Sequence, residues 1–372
     1  MILKGDRLDK PTYRLIQTMP EEASQSVCYK CWHEVFECEV VQKTVSLLGV
    51  EDAAANEPSL LNTMHHKHIT RIHDAQWDPE SKNLKAITFV MPYYEGGSLN
   101  SKLQQDGPFS LGQAIDIACQ VLDALHYLHV DRRILHRDIK PGNVLLSNDT
   151  KSAYLADMGC AVYMDESGTA GARGGTLLYR APEYYNGRYT IKSDLYSVGL
   201  ILIEMLKGSF PYASIDVDDV EDRLKSGKRP LKQELLELGP HVPGPLRRLA
   251  DRLLDPNETR RPNSAQEVQR ELERIQHTDW RFDPSATDLT WTGSRSNRYG
   301  TATRQYKVTA RSIVSGAHTG KVELVARWRT GESGTWRVIS GLRRLIEATD
   351  SSAWKNFFKE VDSAAAHRAA RR

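Results

Sequence analysis

Long apolar runs are missing from this chain. The longest, VGLILIEML from Val198, falls well short of the ~20 residues needed to cross a bilayer. The first residues, MILKGDRLDK, lack the apolar stretch of a secretory leader. A soluble, cytoplasmic protein with no membrane partner is the expectation. Cysteine is scarce too: the five cysteines, at 28, 31, 38, 119 and 160, are too few and too scattered for a disulfide framework, which fits a reducing compartment. Repeats and low-complexity tracts are absent. Glycine is absent from residues 17–32, QTMPEEASQSVCYKCW, where two glutamates stand side by side.

What is present points to two units. With 372 residues, 40% of them hydrophobic, the chain can build a sizeable core and one further module. The net charge of +2 is a cancellation. Residues 1–279 hold 33 Lys/Arg against 40 Asp/Glu, and residues 280–372 hold 17 against 8. Such an asymmetry implies parts with different partners.

Up to Pro92 the pattern is mostly strand-like: VFECEVVQKTV alternates as a strand does, and PSLLNTMHH reads as a helical segment. From Leu99 to Gln276 helical patterns dominate. Ile115, Cys119, Leu122 and Leu125 recur at helical spacing behind a Ser110 N-cap. After Gln276, RQYKVTARSIV and KVELVARWRT alternate apolar and polar residues, and GESG (331–334) turns the chain into TWRVIS. SSAWKNFFKEV then places Trp354, Phe357, Phe358 and Val361 on one helical side.

The most specific signal is HRDIKPGN (136–143) together with DMG (157–159). Phosphoryl transfer needs a carboxylate to orient the attacking hydroxyl, oxygen ligands for magnesium and cations on the phosphates. Asp138, Asn143 five residues on, and Asp157 in a loop after an apolar strand supply that set. With these segments the sequence resembles the eukaryotic-like (Hanks-type) serine/threonine protein kinase superfamily over residues 12–276. The resemblance implies an α+β, bilobal protein kinase fold, with a β-rich N-lobe (1–92) and a helical C-lobe (93–277). A small, basic, Trp-rich and β-rich C-terminal module (278–372) follows.

The resemblance also assigns roles. Asp138 is the expected catalytic base, with Lys140 on the transferring phosphate, and Asn143 and Asp157 are the expected magnesium ligands. VVQKTV resembles the strand with the phosphate-binding lysine, Lys43, whose expected partner is Glu57. Pro58 places Glu57 near a helix start. TFVMPYYEGGSL resembles the hinge: Met91 is the gatekeeper, Pro92 and Tyr94 offer the adenine a carbonyl and an N–H, and Val27 and Leu145 cover its two faces. GTLLYRAPE (175–183) resembles the segment that receives the substrate, with Thr176 a serine/threonine-kinase mark. Glu183 and Arg261 are expected to pair, and Asp194 to brace the catalytic loop. In the intervening loop Thr169 is the preferred phosphorylation site and Ser167 the second, with Arg137 as the phosphate's partner. An ordinary mobile loop is the alternative.

In this register Pro20, Glu22 and Gln25 fall where the family has its three phosphate-loop glycines. Losing one or two phosphate hydrogen bonds at ~0.5–1.5 kcal/mol each lowers ATP affinity about tenfold to a hundredfold. A glutamate aimed at a phosphate ~6 Å away adds ~3 kcal/mol of repulsion at an effective dielectric of about 20. These costs weaken nucleotide binding and leave the chemistry in place.

Cys28, Cys31, His33 and Cys38 match no common zinc-finger spacing. Five of the seven tryptophans (Trp280, Trp291, Trp328, Trp336, Trp354) lie in the basic tail. Docking on the acidic kinase domain or on a partner protein is the first reading of the tail, and nucleic acid the second. Two functions result: an ATP- and magnesium-dependent kinase acting on protein serines and threonines, itself included, or a pseudokinase scaffold that binds through its tail.

Overall fold

The computed structural model describes residues 12–19, 26–46, 57–77, 86–283, 286–296 and 303–370. Residues 20–25, with both loop glutamates, lie outside them.

The N-terminal unit is an antiparallel sheet in the order β1-β2-β3-β5-β4. Its strands are β1 (Tyr13–Thr18), β2 (Ser26–His33), β3 (Cys38–Ser46), β4 (Asp74–Trp77) and β5 (Ala86–Pro92), with helix α1 (Glu57–Asn62) beside them. Alternation along β3 turns Val41, Lys43 and Val45 to one buried face. The expected strand from Val35 begins three residues late. Glu34 to Glu37 form a turn, because His33 Nδ1 accepts the N–H groups of Val35 and Phe36 and Glu37 takes φ 53°. Val35 and Phe36 are therefore exposed.

The helical lobe begins with α2 (Leu99–Asp106) and α3 (Leu111–His126). Ser110 and Gln113 close a reciprocal capping box on α3. Two short strand pairs follow, one nested inside the other. Strand β6 (Ile134–Leu135) pairs with β9 (Val162–Tyr163), and β7 (Val144–Leu146) pairs with β8 (Ala153–Leu155). The pair β10 (Thr169–Gly171) and β11 (Arg188–Thr190) closes the next loop.

The apolar run at Val198 belongs to α4 (Ile191–Lys207), which is buried from Ser193 to Leu206. An all-round apolar helix of this length is a core helix. Among the described residues no helix is long and apolar enough to cross a membrane. Helices α5 (Val217–Lys225), α6 (Gln233–Leu236), α7 (Gly244–Leu253) and α8 (Ala265–Glu273) complete the lobe, and one apolar core runs from Val41 in the sheet to Leu272 in α8.

The tail is a five-stranded antiparallel meander, β12 (Asp279–Asp283), β13 (Leu289–Ser296), β14 (Thr303–Ser312), β15 (Lys321–Thr330) and β16 (Arg337–Glu347), followed by α9 (Ser351–Ala370). Tyr306, Val308 and Ala310 on β14 and Val322, Leu324 and Ala326 on β15 share a second core with Phe357, Phe358 and Val361 of α9. Trp280 and Trp291 are buried in it. Trp291 Nε1 also donates to Nδ1 of His241 in the helical lobe at 3.0 Å, and Asp279 Oδ1 accepts the Gly112 N–H at 2.7 Å.

Candidate active site

The nested strand pairs bring the two loops side by side. Residues 136–143 connect β6 to β7, and residues 157–159 connect β8 to β9. Asp194, fully buried at the start of α4, accepts the main-chain N–H groups of His136 and Arg137, both at 3.0 Å, and touches His129 Nε2 at 2.8 Å. Arg137 and Asp157 adopt left-handed backbone, φ 67° and 62°. Such strain persists only where surrounding bonds impose it.

Asp138 sits at the centre of a closed network. Thr176 donates its N–H and its hydroxyl to Oδ1, both at 2.8 Å. Asn143 Nδ2 reaches the Asp138 carbonyl at 2.8 Å and Oδ2 at 3.0 Å. Lys140 Nζ stands 2.9 Å from Oδ2 and donates to the Thr176 hydroxyl at 3.0 Å. Three residues from two segments thus fix one carboxylate.

Across the cleft, Lys43 Nζ lies 3.2 Å from both carboxylate oxygens of Glu57 and 3.0 Å from Asp157 Oδ1. Neither Lys43 nor Glu57 is a surface group. Pro58 falls in the first turn of α1, where its missing N–H costs no helix bond. Glu57 Oε1 also accepts the Met158 N–H at 3.1 Å, which ties the helix to the DMG loop.

Burial and charge set the protonation of this trio. Burial pushes the Glu57 carboxyl up, Lys43 opposes it and Asp157 adds to it, leaving it at about 7. Burial would also raise Asp157, but the Lys43 ammonium and the Gly159 N–H outweigh it and hold it at about 2. Burial disfavours the Lys43 charge, yet its two carboxylates keep the ammonium above its ordinary range.

Between these groups and the strand that ends at Pro92 lies a cavity of about 200 Å³. Lys43, Met91, Pro92, Tyr94, Lys140, Asn143, Leu145 and Asp157 line it. Val27 does not. Cys28, directly opposite Lys43 in the β2–β3 register, takes that place, with Met19 and Val41 beside it. Because strand side chains alternate, a register set one residue early turns the side chain to the other face. Reading β2 against Lys43 corrects it; the residues given the three glycine positions, Pro20, Glu22 and Gln25, lie outside the described residues. Gly97, Ser98 and Ala156 also line the cavity and were not singled out in the sequence.

In the loop beyond the DMG segment, the hydroxyls of Ser167 and Thr169 donate to Asp165, at 2.7 and 2.8 Å. Arg137 donates to the carbonyls of Cys160 and Gly171, at 2.5 and 3.1 Å. Farther out, Arg261 grips Glu183 through two parallel bonds of 2.7 and 2.8 Å, both residues buried.

Comparison with known proteins agrees with this geometry. Residues 22–272 match the family profile of the protein kinase domain. Serine/threonine-protein kinase ULK3 of Xenopus laevis is 35% identical over 213 residues, 55% of this chain and 44% of the relative. Its Mus musculus counterpart is 32% identical over 260 residues, 69% and 51%. A putative mitogen-activated protein kinase kinase kinase 7-like protein of Drosophila melanogaster is 32% identical over 231 residues, 60% and 56%. The chain spans about half the length of these relatives. With the profile covering most of its length and the motifs meeting in one cleft, the chain belongs to the protein kinase family.

Proposed function

We propose that this chain is an ATP-dependent serine/threonine protein kinase. The observation that carries this reading is Lys43, held between Glu57 and Asp157 at the cavity wall opposite the Asp138 network. In the transfer, the bond between the γ-phosphorus and the ADP oxygen breaks, a bond to the substrate hydroxyl oxygen forms, and Asp138 takes the hydroxyl proton. Lys43 and Lys140 supply positive charge to the phosphates, and most of the remaining catalysis is positioning.

Magnesium suits the donor set. Asp157 is anionic at neutral pH, and Asn143 commits its Nδ2 to Asp138, which leaves its amide oxygen as a ligand atom. Two hard oxygen donors fit this ion, which keeps its remaining positions for water and phosphate oxygens. Held by the Asp157 carboxylate and the Asn143 amide oxygen, it would neutralise phosphate charge. Met91, Pro92, Tyr94 and Leu145 form the adenine site, with Cys28 in the place first given to Val27. Thr176 then orders the substrate beside Asp138.

Autophosphorylation at Thr169, or at Ser167, exchanges a hydroxyl now bonded to Asp165 for a phosphate that Asp165 repels. The loop then needs a new partner such as Arg137. Mass spectrometry after incubation with ATP identifies the residue. We assign the protein to the cytoplasm, whose reducing conditions suit a chain with five scattered cysteines.

The tail fits docking on the helical lobe better than nucleic-acid binding. Trp280 and Trp291 pack in its core and offer bases no stacking face, while Trp291 and Asp279 bond to the lobe. A pseudokinase scaffold has no chemical need for Lys43, Asp138, Asn143 and Asp157 together. Transfer of labelled phosphate from ATP to protein, abolished by Asp138→Asn, tests the kinase reading.

A further inference from the structure

The sheet of the tail has a second face, turned away from its core. Directly opposite residues of antiparallel strands share a face. The register that buries Trp280, Trp291, Val308 and Ala326 on one side therefore sets Arg281, Thr292, Lys307 and Arg327 in a row across four strands on the other. Ser294, Gln305 and Arg329 form the next row. Where this face meets the start of α3 lies a cavity of about 560 Å³, lined by Ser110 and Gln113 of the helical lobe and by Arg281, Thr292, Arg329 and Trp336 of the tail.

Both arginines are held in place. Arg329 lies over the Trp336 ring, 4.7 Å from its centre, and its Nε donates to Gln305 Oε1 at 2.7 Å. Arg281 Nη2 donates to the Asp106 carbonyl at 3.0 Å. Among the described residues neither arginine is paired with a carboxylate, nor are Lys307 and Arg327 beside them. Asp279 is the only carboxylate among the described residues of the lining, and its Oδ1 is committed to the Gly112 N–H at 2.7 Å. Glu323, on the same face, is paired with Arg343 at 2.7 Å.

A guanidinium fixed by stacking and by one hydrogen bond is a fork whose remaining N–H donors match the oxygens of a phosphate. Its ordering is already met in the free protein, so a ligand does not have to supply it. Four cations against one carboxylate favour a dianion, which a phosphate monoester approaches at neutral pH, over a singly charged carboxylate. The cavity also has room for the group that carries the phosphate. A nucleic-acid strand needs an open aromatic face, and Arg329 already covers Trp336. We propose that this cavity binds a phosphate monoester. No residue of the ATP cleft takes part, so the site is independent of the kinase reading.

Calorimetric titration of the full-length protein tests it with four probes: a short peptide with a central phosphoserine, the same peptide with glutamate there, ribose 5-phosphate, and a single-stranded oligonucleotide. Ribose 5-phosphate lacks the base that an ATP cleft recognises. The phosphoserine peptide is expected to bind about tenfold or more tightly than the glutamate peptide. If ribose 5-phosphate binds equally well, the ligands include small esters; if it binds much more weakly, the phosphate is one carried on protein. Arg281→Leu and Arg329→Leu are each expected to weaken binding by about tenfold or more. Arg329→Lys, which keeps the charge and loses the fork, is expected to fall between. Arg311→Leu, at the other end of β14, is expected to leave binding unchanged. Four results would overturn the proposal: no binding of either ester, equal affinity for phosphoserine and glutamate, affinity that is unchanged in both leucine variants or falls as far in Arg311→Leu, or tighter binding of the oligonucleotide. None of them bears on phosphate transfer, so the kinase reading stands or falls separately.

Discussion

The ammonium of Lys43 stands 3.2 Å from each carboxylate oxygen of Glu57, with both side chains buried. This pair joins the strand that forms the cavity wall to the helix that touches the DMG loop through Met158.

Removing Lys43 leaves Glu57 and Asp157 facing each other without a counter-charge. Breaking a buried pair from one side costs about 3–5 kcal/mol. Lys43→Met is expected to lower the melting temperature and to reduce kcat/KM for ATP by about a hundredfold or more. Calorimetry and steady-state kinetics on the same sample check both. A variant as stable as the parent would show that the pair is not closed in solution.

Nucleotide affinity should weaken as the solution is acidified through neutrality. Glu57 titrates at about 7, so at pH 8 it is charged and holds Lys43, and at pH 6 it is mostly protonated and releases it. The KM for ATP is expected to rise over that interval, and Glu57→Gln to flatten the rise. Glu57 is raised from 4.5 to about 7, so its contribution to stability is complete below 4.5 and is lost as pH rises through about 7. Asp157 is depressed from 3.8 to about 2, so its contribution is complete above 3.8 and is lost as pH falls through about 2. Urea unfolding of the parent and Glu57→Gln between pH 5 and 8 measures the first of these.

The contact between tail and lobe has its own pH dependence. Burial, with Arg247 second, depresses His241 from 6.5 to about 3, so it stays neutral and accepts the Trp291 N–H. The unfolded chain takes up the proton first, so stability is present above 6.5 and falls by up to ~1.4 kcal/mol per pH unit below it. Trp291→Phe keeps most of the packing and removes the hydrogen bond, at a cost of ~0.5–1.5 kcal/mol. Faster proteolysis near residue 277 in this variant, and in the parent at pH 5, is the expected result. Identical cleavage at pH 5 and 8 would contradict it.

Much of this could be read from the chain, for physical reasons that differ by element. The Ser110 capping box, the periodicity of α3 and the alternation of β14 and β15 are local patterns, and local patterns survive folding. Asp138 and Asn143 share one loop and Asp157 lies just beyond β8, so their spacing is a local pattern that stands out in the sequence. Val27 was misread because nothing local sets the phase of a strand, which is decided by pairing, here Cys28 against Lys43. The turn at Val35 was missed because its apolar residues look like strand, and the His33 ring that caps it is visible only in three dimensions.

A chain that keeps Lys43, Asp138, Asn143 and Asp157 while lacking glycine from residues 17–32 is predicted to transfer phosphate. The most direct measurement is transfer of labelled γ-phosphate from magnesium ATP to the protein and to added substrate, beside an Asp138→Asn control. Transfer by the parent that vanishes in the control is the predicted result. No transfer by the parent, with no thermal shift on adding nucleotide, would contradict the account.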